Sequence, residues 1–121
     1  MILGEICLHT NNVVKLSDFY RKILKITQEN NSEKNNNETH QFILTERVTL
    51  SVWNNGELKD NNNKNISLVF TVNDVDEEYN RLLGIGIKII EPPKKQPWGA
   101  KNMLFCDPDG NQIYFRSFTK E

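Results

Sequence analysis

Three residues near the start of the chain carry groups that bind metals or attack electrophiles: Glu5, Cys7 and His9. They stand at i, i+2 and i+4, and in an extended strand that spacing turns all three to one side. Carboxylate, thiol and imidazole are a chemically sensible ligand set for a transition metal. Same-side positions on a strand are roughly 7 Å apart, however, which keeps three in a row from meeting one ion easily. Cys7 would act as a nucleophile only if something lowered its pKa, and an inert wall residue is the expectation. His40, at the start of a hairpin beside an Asn-rich stretch, is expected to be exposed.

Three further segments alternate in the same way. Thr49, Ser51 and Trp53 interleave with Val48, Leu50 and Val52; Ser67, Val69 and Thr71 with Ile66, Leu68, Phe70 and Val72; Gln112, Tyr114 and Arg116 with Ile113 and Phe115. With Ile6 and Leu8, the interleaved residues make a nearly pure hydrocarbon face, suited to lie under helices. The other face collects an acid, an imidazole, a guanidinium and two aromatics, the inventory of a ligand pocket, against the alternative of a solvated sheet face with no function. Trp53 and Tyr114 offer flat apolar surfaces with polar edges. Arg116 suits a carboxylate, a phosphate or a planar acceptor, and Glu5 suits an amine, unless the two pair with each other. Trp98, in a loop, either caps such a pocket or fills a gap in the core.

The elements that position these residues follow from periodicity. Residues 2–10 alternate as a strand, and Val13, Leu16, Phe19, Tyr20, Ile23 and Leu24 recur at helical spacing over 13–24. Lys25 to Gln28 is expected to open a second strand, and Glu29 to Glu38, with no apolar residue to bury, a solvated loop. Gln41–Leu44 and Val48–Trp53 read as a hairpin, followed by an Asn-rich linker over 54–65. Ile66–Val72 is the next strand, Asn73-Asp74 caps a helix over 75–83, and Gly84 and Gly86 end it. A strand over 87–91 is expected to stop at Pro92-Pro93. Asp107-Pro108-Asp109-Gly110 then turns a final hairpin, Pro108 presetting φ and Gly110 taking positive φ. The order is βαβββ, twice.

The two halves also match. A shift of 62 lays Ile6 on Leu68 and Val13 on Val75, and a shift of 63 lays Phe42 on Phe105 and Leu50 on Ile113 without a gap, the pattern of a duplication. At 121 residues the chain has length for one domain. A net charge of -1 with scattered lysines provides no basic field for nucleic acid. No apolar run reaches the roughly 20 residues of a membrane span, and the first residues lack a signal-peptide pattern, so a cytoplasmic protein is expected. Cys7 and Cys106, far apart and in no metal-type spacing, are expected as reduced thiols.

Asp18-Phe19-Tyr20 with Leu24, the segment V-N-D-V-D at 72–76 with Leu82, and W-G…F-C-D-P-D-G-N-Q-I over 98–113 together resemble the vicinal oxygen chelate superfamily. That superfamily holds glyoxalase I, extradiol dioxygenases, fosfomycin-resistance enzymes and bleomycin-resistance proteins. The resemblance runs over essentially the whole chain. It implies an α+β fold in a single glyoxalase-like domain, residues 1–121, with module one at about 1–58 and module two at about 64–121. The two βαβββ modules would curl a mixed sheet around a cavity, helices outside, and the family's habit implies a homodimer.

In metal-using members four inward side chains, usually His, Glu or Gln, hold one divalent ion. Carried onto this sequence those places are Glu5, Ser51, Ser67 and Tyr114, of which only Glu5 is an ordinary ligand. The resemblance therefore implies no metal site and no cofactor. Glyoxalase-type isomerisation then lacks its electrophile and dioxygenase chemistry its iron. The expectation is a metal-free small-molecule-binding protein of the glyoxalase/bleomycin-resistance type, enclosing a small aromatic or cationic ligand. Its contacts would be Glu5, Cys7, His9, Ser51, Trp53, Ser67, Gln112, Tyr114 and Arg116. The alternative is a glyoxalase-like lyase, isomerase or transferase, either with a metal held elsewhere or metal-free with Glu5 as general base.

Overall fold

The computed structural model describes residues 1, 3–27, 36–56 and 67–118. The chain divides into two units, Met1–Asn61 and Asn62–Glu121. No helix among the described residues is long and apolar enough to cross a membrane.

In the first unit β1 (Glu5–His9) leads into α1 (Val13–Leu24), and β2 (His40–Leu44) and β3 (Thr49–Trp53) form a hairpin. The Asn12 side chain accepts from the Lys15 amide at the start of α1, meeting one of the orphan N–H groups of a first helical turn. Val13, Leu16, Tyr20 and Ile23 make the buried stripe, each large side chain worth about 2 kcal/mol of transfer from water. The stripe packs on β2 and β3. Strand order is β1-β3-β2, with β1 parallel to β3 through Ile6↔Leu50 and β2 antiparallel through Ile43↔Leu50.

The expected strand from Lys25 is absent over its described residues. Lys25 instead ends α1 in the left-handed conformation at φ 57°, its N–H bonding the Arg21 carbonyl, and Ile26 and Thr27 are irregular. Gln28 and the loop through residue 35 lie outside the described residues, as do 57–65 of the expected linker and Ile66, the expected start of the next strand. Asn36 and Asn37, read as part of a loop without a task, have one. Asn36 Oδ1 accepts from the Phe42 amide at 2.6 Å, and Asn37 Oδ1 from the amides of Thr39 and His40 at 2.9 Å each. These side-chain bonds stand in for ladder bonds at the entry to β2. Gln41, buried on the α1 side, donates to the Asn37 carbonyl and accepts from Arg21 at 2.8 Å.

The second unit is β4 (Ser67–Thr71), α2 (Val75–Gly84), β5 (Ile89–Lys95), β6 (Ala100–Cys106) and β7 (Gln112–Phe118), with sheet order β4-β7-β6-β5. Asp74 caps α2, accepting from the Asp76 and Glu77 amides. Gly86, at φ 87°, lets the chain leave it. The Val75 amide donates to the buried Ser117 hydroxyl at 3.1 Å, tying the helix start to β7. Pro92 and Pro93 do not stop β5; both lie inside it. The strand is at the sheet edge and its register slips on either side of Glu91, and an irregular edge is where a residue without an N–H is tolerated.

The halves repeat with one correction to the sequence match. Ile6↔Leu50 in the first sheet answers to Leu68↔Ile113 in the second, and Ile43↔Leu50 to Phe105↔Ile113. Ile43, not Phe42, is therefore the counterpart of Phe105, and both are fully buried. The shift is 62 up to the hairpin turn and 63 after it, because the second turn, Asp107–Asn111, is one residue longer than Thr45–Val48. The architecture is thus α+β, with two helices and two mixed sheets of three and four strands, each helix packed on its own unit's sheet.

Asp107 organises the longer turn. Its buried carboxylate accepts from the Asp109 and Asn111 amides at 2.9 Å each and from Asn111 Nδ2 at 2.8 Å. Asp107→Ala is expected to cost about 2 kcal/mol by leaving those donors unmet, measured by urea unfolding; an unchanged midpoint would refute the role. Beside it, burial pushes the Cys106 thiol up from its ordinary value and the Asp107 charge adds to the effect. A thiol that ionises less readily folded than unfolded supports the fold below the ordinary thiol range and ceases to as pH rises above it. In a Cys7→Ser protein, alkylation of Cys106 should therefore level off at higher pH than that of free cysteine.

Candidate functional site

Pairing carries alternation from strand to strand, so each sheet has one helix face and one opposite face. On the opposite face of the first sheet β1 places Glu5, Cys7 and His9, β3 places Thr49, Ser51 and Trp53, and β2 places His40, Phe42 and Leu44. At one end the Ser51 hydroxyl, wholly buried, donates to Glu5 Oε2 at 2.7 Å. The Glu5 side chain is otherwise exposed. Cys7, half-buried, is the register partner of Ser51.

At the other end four rings gather. His40 stacks on Trp53, centroids 5.2 Å apart and planes 17° from parallel, and lies 4.2 Å from Phe42; His9 sits 5.7 Å from Trp53 on its other neighbouring strand. His40 is half-buried, not exposed as expected, because β2 begins at this residue and pairs it with Trp53. Alternation alone does not place the β2 members His40, Phe42 and Leu44 on this face. The register of the first hairpin was the signal that would have found them.

The second sheet presents Ser67, Val69 and Thr71 from β4, all exposed, and Gln112, Tyr114 and Arg116 from β7, all half-buried. β6 adds Asn102, Leu104 and Cys106, register partners of Arg116, Tyr114 and Gln112. Arg116 Nε donates to Thr71 Oγ1 at 3.1 Å, and its guanidinium lies 5.3 Å from the Phe118 ring. Trp98, 55% exposed, does not fill a core gap.

The residues at the family's ligand places can be judged by their chemistry. In the first sheet Ser51 is a hydrogen-bond donor to Glu5, a role that uses its proton rather than offering a lone pair to a cation. Ser67 and Tyr114 in the second sheet are a neutral hydroxyl and a phenol. One carboxylate among such groups does not make a zinc, nickel or iron donor set. Among the described residues no group of three or more His, Cys, Asp or Glu side chains lies close enough to hold a metal ion. The residues do not fit the family's metal.

Solved structures share this architecture. A glyoxalase/bleomycin resistance protein/dioxygenase from Nocardioides superposes with a TM-score of 0.80 at 19% identity, covering 99% of this chain and 85% of its own. A glyoxalase/bleomycin resistance protein/dioxygenase family enzyme from Burkholderia phytofirmans PsJN gives 0.78 at 14% identity, covering 98% and 100%. A lactoylglutathione lyase from Agrobacterium tumefaciens gives 0.70 at 18% identity, covering 94% and 91%. At such identities the likeness is one of fold. The Glyoxalase/Bleomycin resistance protein/Dioxygenase superfamily model, by contrast, matches the sequence itself over residues 2–115, and the chain belongs to that superfamily.

Proposed function

We propose that the protein binds a small organic molecule, flat and aromatic or cationic, without a metal. One observation carries this reading. A single sheet face holds a cluster of rings at one end, His9, Trp53, His40 and Phe42, and an exposed carboxylate steadied by Ser51 at the other. Rings in partial contact with solvent are suited to stack on a planar ligand, and Trp53 is 36% exposed. Glu5 has one oxygen engaged by Ser51, and the charge it keeps favours an amine or another cation. Glu5 and His9 lie four residues apart on β1, so the two ends are roughly 13 Å from each other along the strand.

On this reading Cys7 is wall on the same face, and on the second unit's own face Gln112 and Tyr114 are wall, Arg116 a hydrogen-bonding arm and Ser67 a small polar contact. Cytoplasmic placement and homodimer formation belong to the same proposal. The rival reading, a lyase as the Agrobacterium neighbour is, is supported by the family and by Glu5 as an exposed carboxylate, held by Ser51, that could serve as a base.

Metal analysis of protein purified without chelator, with thermal shifts in nickel, zinc, manganese and iron(II), separates the two. The expected result is no stoichiometric metal and no shift; tight binding near one ion per chain would overturn the metal-free reading. Against a panel of aromatic cations, Glu5→Ala and Trp53→Ala should each weaken binding by roughly tenfold, as partial contributors do. A turnover abolished by Glu5→Ala alone would favour the enzyme.

A further inference from the structure

Four buried side-chain polar atoms among the described residues have no hydrogen-bond partner: Arg21 Nε, His40 Nε2, Asn102 Oδ1 and Asp109 Oδ2. Arg21 lies on a helix and Asp109 in a turn. His40 and Asn102 lie on strands, and the repeat relates them. His40 stands three residues before Ile43 and pairs with Trp53, three after Leu50; Asn102 stands three before Phe105 and pairs with Arg116, three after Ile113. Since Ile43↔Leu50 answers to Phe105↔Ile113, the two unmet atoms occupy the same position of the two units. Each faces away from its unit's helix.

Buried polar atoms are nearly always paired, so an unmet one calls for a cause, and the same position unmet twice argues against chance packing. Exchanging the oxygen and nitrogen of the Asn102 amide would leave a donor unmet there in place of an acceptor. The neighbours narrow the chemistry. Asn102 offers an acceptor beside Arg116, whose bond to Thr71 uses Nε and, among the described residues, leaves its terminal N–H groups to donate. An acceptor next to a donor complements the edge of an amide. His40 offers an imidazole nitrogen between two rings, and an edge with both an N–H and a carbonyl meets it in either tautomer.

We propose that His40 and Asn102 are equivalent ligand-contacting residues that select flat rings carrying an amide edge, lactams and related nitrogen heterocycles, over hydrocarbon rings of the same outline. This rests on the small-molecule-binding reading above. Reaching either atom takes a turn of its half-buried side chain, which the new hydrogen bond offsets.

The test uses two bicyclic probes, isoquinolinone, which carries a ring amide, and naphthalene, which does not. Dissociation constants come from NMR titration of the wild type, His40→Phe and Asn102→Leu, alongside the melting temperature of each free protein. The wild type should prefer isoquinolinone by roughly tenfold, the scale of one satisfied buried hydrogen bond. Each substitution should reduce that preference, by weakening isoquinolinone more than naphthalene, and should not lower the melting temperature, since a buried unmet group has been replaced by an apolar one. A preference that survives either substitution overturns the inference while the binding reading stands. If neither probe binds the wild type, both fall. Should His40→Phe fail to fold, His40→Leu is measured in its place and the same results decide.

Discussion

The side-by-side register of two parallel strand pairs is the constraint on which the rest of the structure depends. Ile6 beside Leu50 and Leu68 beside Ile113 fix which side of each sheet is hydrocarbon. A strand has only two faces, so a slip of one residue in either pair would exchange them, turning Glu5, Cys7 and His9 toward α1 and leaving Ile6 and Leu8 on the other side. Leu16, Tyr20 and Ile23 on one helix and Val75 and Leu82 on the other hold the register because they need an apolar partner surface. The placement of every polar residue discussed above follows from that demand of the core.

This is also why the fold was legible in the sequence. Period-two alternation in β1, β3, β4 and β7 and period-3.6 spacing in α1 are signals of burial, and burial is what the sequence must satisfy to fold. Asp74 as a cap and Asp107–Gly110 as a turn were legible for a second reason, since each residue type there has a specific backbone task. What was not legible lay where those signals fail. Lys25 in the left-handed region has no side-chain signature, and Pro92-Pro93 looks like a terminator until the strand is known to be an edge. The extra residue in the second turn is invisible to a gap-free match, which set Phe42 where Ile43 belongs.

The face away from the helices divides in the same manner. Its β1, β3, β4 and β7 members were readable from alternation, while the β2 and β6 members were not, because their neighbours are known only once the hairpins are paired. His40 and Asn102 were out of reach for that reason. Ser51 illustrates a different limit. Its residue type alone argues against a metal ligand, but only the folded structure reveals that its hydroxyl is spent on Glu5, where it orients a carboxylate. The superfamily tie does not depend on that face, since the fold is held by the apolar one.

The two prolines of β5 have an effect beyond their own strand. Exposed sheet edges are templates on which a strand from another molecule can add, the first step toward aggregation or amyloid-like growth. Pro92 and Pro93 remove two adjacent N–H donors from the outer strand of the four-stranded sheet, the register slips around Glu91 break its regular spacing, and Lys94 and Lys95 put charge at its end. That edge makes a poor template, so the irregular strand acts as a guard against unwanted polymerisation along the longer sheet.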